Sequence, residues 1–196
     1  MAGDDWAGYY DEFGARPPRD ALFDVLATFP SPGDAIDLGC GTGADTAAML
    51  AAGWSVFATD AQPEAIARTR RRAADSPRLT TVLSPMEDVE LPPADLVWAS
   101  YSLFFCTPAR FPELWQRIRQ AVRLGGRFAG QVLGDRDTWA TDRDMPWFDR
   151  DGVDALFVDW SVERFEVEDE DGEAWAVPKH WHVFHVVAQK PFASHA

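Results

Sequence analysis

One stretch, Ala35-Ile36-Asp37-Leu38-Gly39-Cys40-Gly41-Thr42-Gly43, constrains this chain more than any other. A short apolar run contains an acid, Asp37, and ends in three glycines at alternate positions. Ala44 to Leu50 then reads as a helix. This is a buried strand, a tight turn and a helix start. Glycine lacks a Cβ, so it accepts positive φ and lets a ligand lie against the backbone. The first turn of a helix offers unpaired N–H groups. Such a turn in an α/β sheet holds a nucleotide-like ligand.

The ligand class turns on Asp37. Gly39-x-Gly41-x-x-Ala44 also fits a dinucleotide fingerprint with Ala in third place. A carboxylate two residues before the first glycine suits a cationic ligand group. It repels a pyrophosphate at close range. The length, 196 residues, favours one domain and leaves no room for a separate catalytic domain beside a dinucleotide domain. We therefore expect a single domain over 1–196, with N-terminal helices over 1–29, a cofactor-binding half over 34–133, and a substrate-side loop and hairpin over 134–196.

The formal charge is −14. Binding to nucleic acid rests on Lys and Arg neutralising phosphates, so an acidic chain of this size is a poor nucleic-acid or anionic-membrane binder. The one basic cluster, Arg68 and Arg70 to Arg72, ends a helix that begins with Glu64 and suits the helix dipole. Cys40 and Cys106 are too few for a disulfide framework. The acidic N-terminus has no apolar leader, and no run approaches the length of a membrane span. The expectation is a soluble cytoplasmic protein.

Further strands are expected at about Trp54 to Thr59, Leu79 to Leu83, Ala94 to Ser100, Phe128 to Leu133, Trp160 to Glu168 and Lys179 to Lys190. Asp60 closes the second, 17 residues after Gly43, where an acid can accept both ribose hydroxyls or simply cap the next helix. Trp6, Tyr9, Tyr10 and Phe13 share one helical face, as a lid over a ligand or a cap on the core. Pro17-Pro18 opens a helix to about Phe29. Leu103 to Phe105 reads as core, and Tyr101 as core or pocket. Gly134 to Asp149 reads as a long loop bearing Arg136 and Trp139, and Asp169 to Gly172 as a hairpin turn. Alternation in the last strand sends His180 and His182 to one face, Trp181 and His185 to the other. A three-histidine metal site would need all three to converge, so no metal is expected.

Asp37 to Gly43, DLGCGTG, resembles the first motif of the class I S-adenosylmethionine-dependent methyltransferases. The resemblance runs from Asp34 to about Leu133. The KHWHVFHV and GDRDTW stretches resemble a bacterial group of small methyltransferases, tellurite-resistance-like or biosynthetic. The resemblance implies a Rossmann-like, seven-stranded, mostly parallel sheet in the order 3-2-1-4-5-7-6, its last strand antiparallel, with helices on both faces.

The same resemblance implies S-adenosyl-L-methionine as cofactor, S-adenosyl-L-homocysteine as product, and methyl transfer by in-line displacement. Tyr10, Asp37, Gly39, Cys40, Gly41, Asp60, Ala61, Met86, Glu87, Ala99 and Ser100 would then meet the cofactor. Met86 would pack on the adenine and Glu87, or Asp88, accept from its amino group. No Pro-Pro-Tyr or Pro-Cys motif follows the fourth strand, which argues for a small-molecule acceptor through O, N, S or a chalcogen. An antiparallel last strand brings Lys179, Trp181 and the histidines towards the cofactor mouth. Trp6, Tyr101, Arg136, Trp139, Lys179 and Trp181 are then the candidate acceptor wall. His180 and His182 are the candidate proton acceptors, or else structural histidines of the sheet edge. A binding module, or an enzyme using the same cofactor for another reaction, remains the alternative.

Overall fold

A computed structural model describes residues 6, 8, 10, 14–74, 76–174 and 177–192. The strands are β1 (Asp34–Leu38), β2 (Ser55–Asp60), β3 (Leu79–Leu83), β4 (Ala94–Ala99), β5 (Val122–Gly134), β6 (Trp147–Phe148), β7 (Ser161–Ala174) and β8 (Val177–Gln189). The helices are α1 (Asp20–Leu26), α2 (Ala44–Ala51), α3 (Pro63–Arg72), α4 (Phe111–Ala121), α5 (Thr138–Asp142) and α6 (Arg150–Leu156). All strands share one sheet in the order β3-β2-β1-β4-β5-β8-β7, with the two-residue β6 paired to β5. β1 to β5 are mutually parallel, and β8 runs antiparallel to both β5 and β7. With β6 set aside, this is the order the sequence implied.

Alternation along the strands fills two cores. Ile36, Leu38, Val97, Ala99 and Phe128 face α4 and α6. Ala35, Val56, Ala58, Leu96 and Trp98 face α1, α2 and α3. The stripe Phe111, Leu114, Trp115 and Ile118 is buried along α4, which has no side-chain N-cap. Burying one such side chain contributes about 1.5–3 kcal/mol against roughly 1 for a cap, so packing rather than capping holds this helix.

Four segments differ from the sequence reading. Pro17 and Pro18 precede α1 instead of opening it, because the Arg19 N–H is taken by Asp45 Oδ1 at 2.9 Å and the helix starts after it. β5 begins at Val122, since the Gly125 N–H and Gly126 carbonyl bond Lys190 and keep the glycine bend in the sheet. The 134–149 segment is not a plain loop: Asp137 accepts the Trp139 N–H at 2.9 Å and starts α5. The hairpin does not turn at Asp169 to Gly172, for its ladder runs on to Ala174 opposite Val177. A Cβ on Gly172 would lie 3.1 Å from the Trp181 ring, so the bare strand position accommodates that ring.

Candidate active site

The site is built on the turn between β1 and α2. The Gly39 and Cys40 amides both bond the Thr59 carbonyl, at 2.9 and 3.0 Å, and tie the turn to β2. The glycines have different tasks. A Cβ on Gly39 would stand 2.5 Å from Ser102, whose hydroxyl donates to the Leu38 carbonyl at 2.5 Å. At Gly41, where φ is +53°, a Cβ would meet nothing within 4 Å. Its open side gives onto a cavity of about 870 Å³.

Asp60, at the tip of β2, lines this cavity. Its Oδ2 accepts the Gly41 amide and its Oδ1 the Gln62 amide, both at 2.9 Å. Burial raises its pKa, against the lowering effect of those bonds. With three backbone amides bonded to it, the Ala61 amide among them, the carboxylate keeps acceptor capacity for a ligand hydroxyl. Met86 and Glu87 line the wall after β3. Glu87 Oε1 also accepts from the Thr107 amide and hydroxyl, while Asp88 pairs with Arg110 on the surface. Arg110 and Arg117 donate to the Glu87 carbonyl, which fixes the loop.

The N-terminal segment closes one side. Trp6, Gly8 and Tyr10 are helical, and Trp6 and Tyr10 line the cavity; Tyr9 and Phe13 lie outside the described residues. Arg16 and Arg19 also reach it, anchored through Asp45, which accepts from Arg16 Nη2 at 3.2 Å and from the Arg19 amide. Among the described residues, two cavity-lining hydroxyls, Thr42 Oγ1 and Ser100 Oγ, are buried without a hydrogen-bond partner. Buried polar groups of native proteins find partners, and a polar ligand supplies one.

Aromatic rings form the opposite wall. Trp6 packs edge-on to Phe105 at 5.1 Å and Trp181 edge-on to Tyr101 at 6.1 Å, while Trp139 lies tilted between Phe105 at 6.1 Å and Trp181 at 5.5 Å. Lys179 lies behind this wall, its ammonium 3.7 Å from the Trp181 ring centre and paired with the buried Asp137. Asp137 also accepts the Trp139 and His182 amides, so one carboxylate joins α5 to β8.

Residues 35–126 match the family model described as a methyltransferase domain. Just under half of the chain is similar to that family. Carboxy-S-adenosyl-L-methionine synthase of Yersinia pestis is 34% identical over 112 residues, covering 53% of this chain and 40% of that protein. The chain thus spans less than half the length of the curated relatives it matches. TehB of Haemophilus influenzae superposes with a TM-score of 0.75 at 16% identity, over 93% of this chain and 65% of that one. The N-methyltransferase NodS of Bradyrhizobium japonicum gives 0.70 at 12%, over 94% and 97%. These likenesses show the fold.

The structure brings Tyr10, Gly39, Cys40, Gly41, Asp60, Ala61, Met86, Glu87 and Ser100 around one cavity, which Trp6, Tyr101, Trp139 and Trp181 also line. Asp37 and Ala99 are buried and do not line it. Asp37 lies beneath the turn and accepts from Thr46 Oγ1 at 2.5 Å. Burial, with Asp45 nearby, lifts its pKa to about 7. His180 and His182 are not cavity residues either. Alternation faces them away from Trp181 and His185. His180 sits between Asp171 and Asp169 at 2.8 and 3.0 Å, and the hydrogen bonds that these carboxylates accept from its ring raise its pKa. His182 is buried under Arg136, whose amide donates to Nδ1 at 3.1 Å, and burial lowers its pKa. Arg136 binds Asp169 on that same outer face, and Lys179 is committed to Asp137.

The sequence reading missed Arg16, Arg19, Phe104, Phe105 and Glu168, all of which line the cavity. Phe104 and Phe105, expected in the core, do belong to a core cluster with Leu133 and Val183 and line the cavity as well. The Arg16 and Arg19 spacing carried no periodic signal, because Asp45 positions them through tertiary contacts. Among the described residues no group of His, Cys, Asp and Glu is arranged to hold a metal ion. Cys40 and Cys106 are both free and buried. Among the described residues no helix is long and apolar enough to cross a membrane.

Proposed function

We propose that this domain binds S-adenosylmethionine and transfers a methyl group to a small-molecule acceptor in the same cavity. The observation that carries the reading is convergence. The bare Gly41, the Asp60 carboxylate and the unpartnered Thr42 and Ser100 hydroxyls face one space. Those residues fit a nucleoside joined to an amino acid. Asp60 would accept the ribose hydroxyls, and Met86 and Glu87 would flank the adenine. Thr42, Ser100, Arg16 and Arg19 would serve the amino-acid end, the arginines meeting its carboxylate.

Bound S-adenosylmethionine supplies a methyl activated on a sulfonium. The protein's part is orientation and exclusion of water, which alone accounts for several orders of magnitude in rate. The aromatic wall does both, presenting rings against a flat or apolar acceptor. With His180 and His182 turned away from the cavity, a proton leaving the acceptor passes to another group or to solvent.

Calorimetry tests the reading. S-adenosylhomocysteine should bind and NAD should not, and Asp60→Ala should weaken binding by about 1.5–3 kcal/mol, the worth of a hydrogen bond to a charged group. Tight NAD binding without response to S-adenosylhomocysteine would overturn it. One relative is a synthase of carboxy-S-adenosyl-L-methionine by name. That favours one second reading, in which the cofactor itself is modified; mass analysis of the cofactor product separates it from methyl transfer.

A further inference from the structure

The acceptor half of the cavity has a feature that the cofactor reading does not use. Glu168 of β7 lines the cavity beside the rings of Tyr101, Trp139 and Trp181. Its Oε2 accepts from the Tyr101 hydroxyl at 2.9 Å and contacts His185 Nε2 at 3.2 Å. His185 lies edge-on to Tyr101, 5.8 Å away, with its Nδ1 3.3 Å from Gln131 Nε2, while Gln131 Oε1 accepts the Tyr101 amide at 2.9 Å. Tyr101 has a left-handed backbone, with φ of +51°, which this network maintains.

The carboxylate is thus fixed from behind. Both contacts fall on Oε2, and Oε1 accepts no hydrogen bond among the described residues. The bond to His185 and that to Tyr101 hold Glu168 below its ordinary pKa despite burial, so it is an anion at neutral pH. Of the two arginines that line the cavity, Arg16 is held by Asp45 beside the glycine turn, while the Arg19 guanidinium lies 4.3 Å from the centre of the Tyr101 ring, a cation already drawn to this aromatic wall. A half-buried, immobilised anion among aromatic faces selects cations, since ring faces and carboxylate attract the same charge.

We propose that the acceptor is a flat arylalkylamine, its ammonium held by Glu168 as a recognition group and its ring packed against Trp139 and Trp181. This rests on the reading of the cavity as a site shared by cofactor and acceptor. Glu168 is a specificity-determining residue here. Tyr101 and His185 are positioning residues, acting through it.

The test uses the whole chain saturated with S-adenosylhomocysteine and two probes of matched shape, tryptamine and indolepropionate, followed by calorimetry. Tryptamine should bind at least about tenfold more tightly than the carboxylate. Glu168→Gln keeps an acceptor for the Tyr101 hydroxyl, so it should bind S-adenosylhomocysteine like the parent yet lose at least about tenfold in tryptamine affinity. Equal or stronger binding of indolepropionate, or failure of tryptamine to bind, overturns the proposal. So does unchanged tryptamine affinity in Glu168→Gln. If that variant fails to fold, the preference of the parent for tryptamine over indolepropionate decides alone. Absence of S-adenosylhomocysteine binding by the parent overturns the cavity assignment first, and the acceptor proposal with it.

Discussion

Replacing Asp37 with Asn should stabilise the protein at neutral pH, by an amount that grows with pH. Asp37 is buried beneath the glycine turn, and its pKa rises from 3.8 to about 7, first through desolvation and then through Asp45. Arg16 and the Thr46 hydroxyl oppose the rise, and Asp60 adds to it. In the unfolded chain the carboxyl ionises near its ordinary value. Between that value and about 7 the folded state therefore holds a proton that the unfolded state has released. Stability conferred by the group is complete below the unfolded pKa and is lost as pH rises through the folded one. The loss is about 1.4 kcal/mol per pH unit, or about 4 kcal/mol over the full shift. Asn matches the neutral carboxyl in shape, still accepts from Thr46, and does not titrate. Urea unfolding of both proteins, from about pH 4.5 to about pH 7.5, isolates this group from all others. The stability of Asp37→Asn relative to the parent should increase by about 3 kcal/mol across that range and then level off. A difference constant to within about 0.5 kcal/mol would show that Arg16 keeps Asp37 ionised, and would refute the reasoning.

Gly41→Val should remove S-adenosylhomocysteine binding by calorimetry, since the side chain would project into the cavity, with a smaller loss of thermal stability from the positive φ of +53°. Lys179→Met should destabilise the fold by about 3–5 kcal/mol in urea unfolding, because it strands Asp137, although the two amides that Asp137 accepts place the loss at the lower end. His180→Ala and Arg136→Ala should bind S-adenosylhomocysteine like the parent and leave the pH dependence of turnover unchanged, because both side chains lie on the outer face of the hairpin with Asp169.

The parallel half of the fold was legible because its information is local. Alternating apolar runs define β1, β2 and β4, the glycines define the turn, and Asp60 falls at a strand tip whose position follows from chain length. Ligands of open parallel sheets bind at that edge, so the cavity-lining residues around Gly41 could be read in order. The acceptor side was legible only in part. Trp139 and Trp181, read as wall residues, line the cavity, whereas His180, His182, Arg136 and Lys179, expected there because their strand and loop share its edge of the sheet, do not. Which of them faces the cavity depends on the face of β8 and on the burial of Asp137. A one-residue step along a strand reverses the face, so adjacent residues in KHWH separate to opposite sides. Glu168 carries no sequence signal at all, standing as one acid among many on an exposed acidic strand. Only pairing of β7 with β8, which sets Glu168 opposite Val183 and within reach of His185 and Tyr101, distinguishes it. The sequence by itself determined the glycine turn, the strand tips and the cofactor edge, because these follow from backbone conformation and local periodicity. The tertiary structure alone decided which charges of the C-terminal hairpin meet the cavity, because that depends on long-range register and on which buried groups have already found partners.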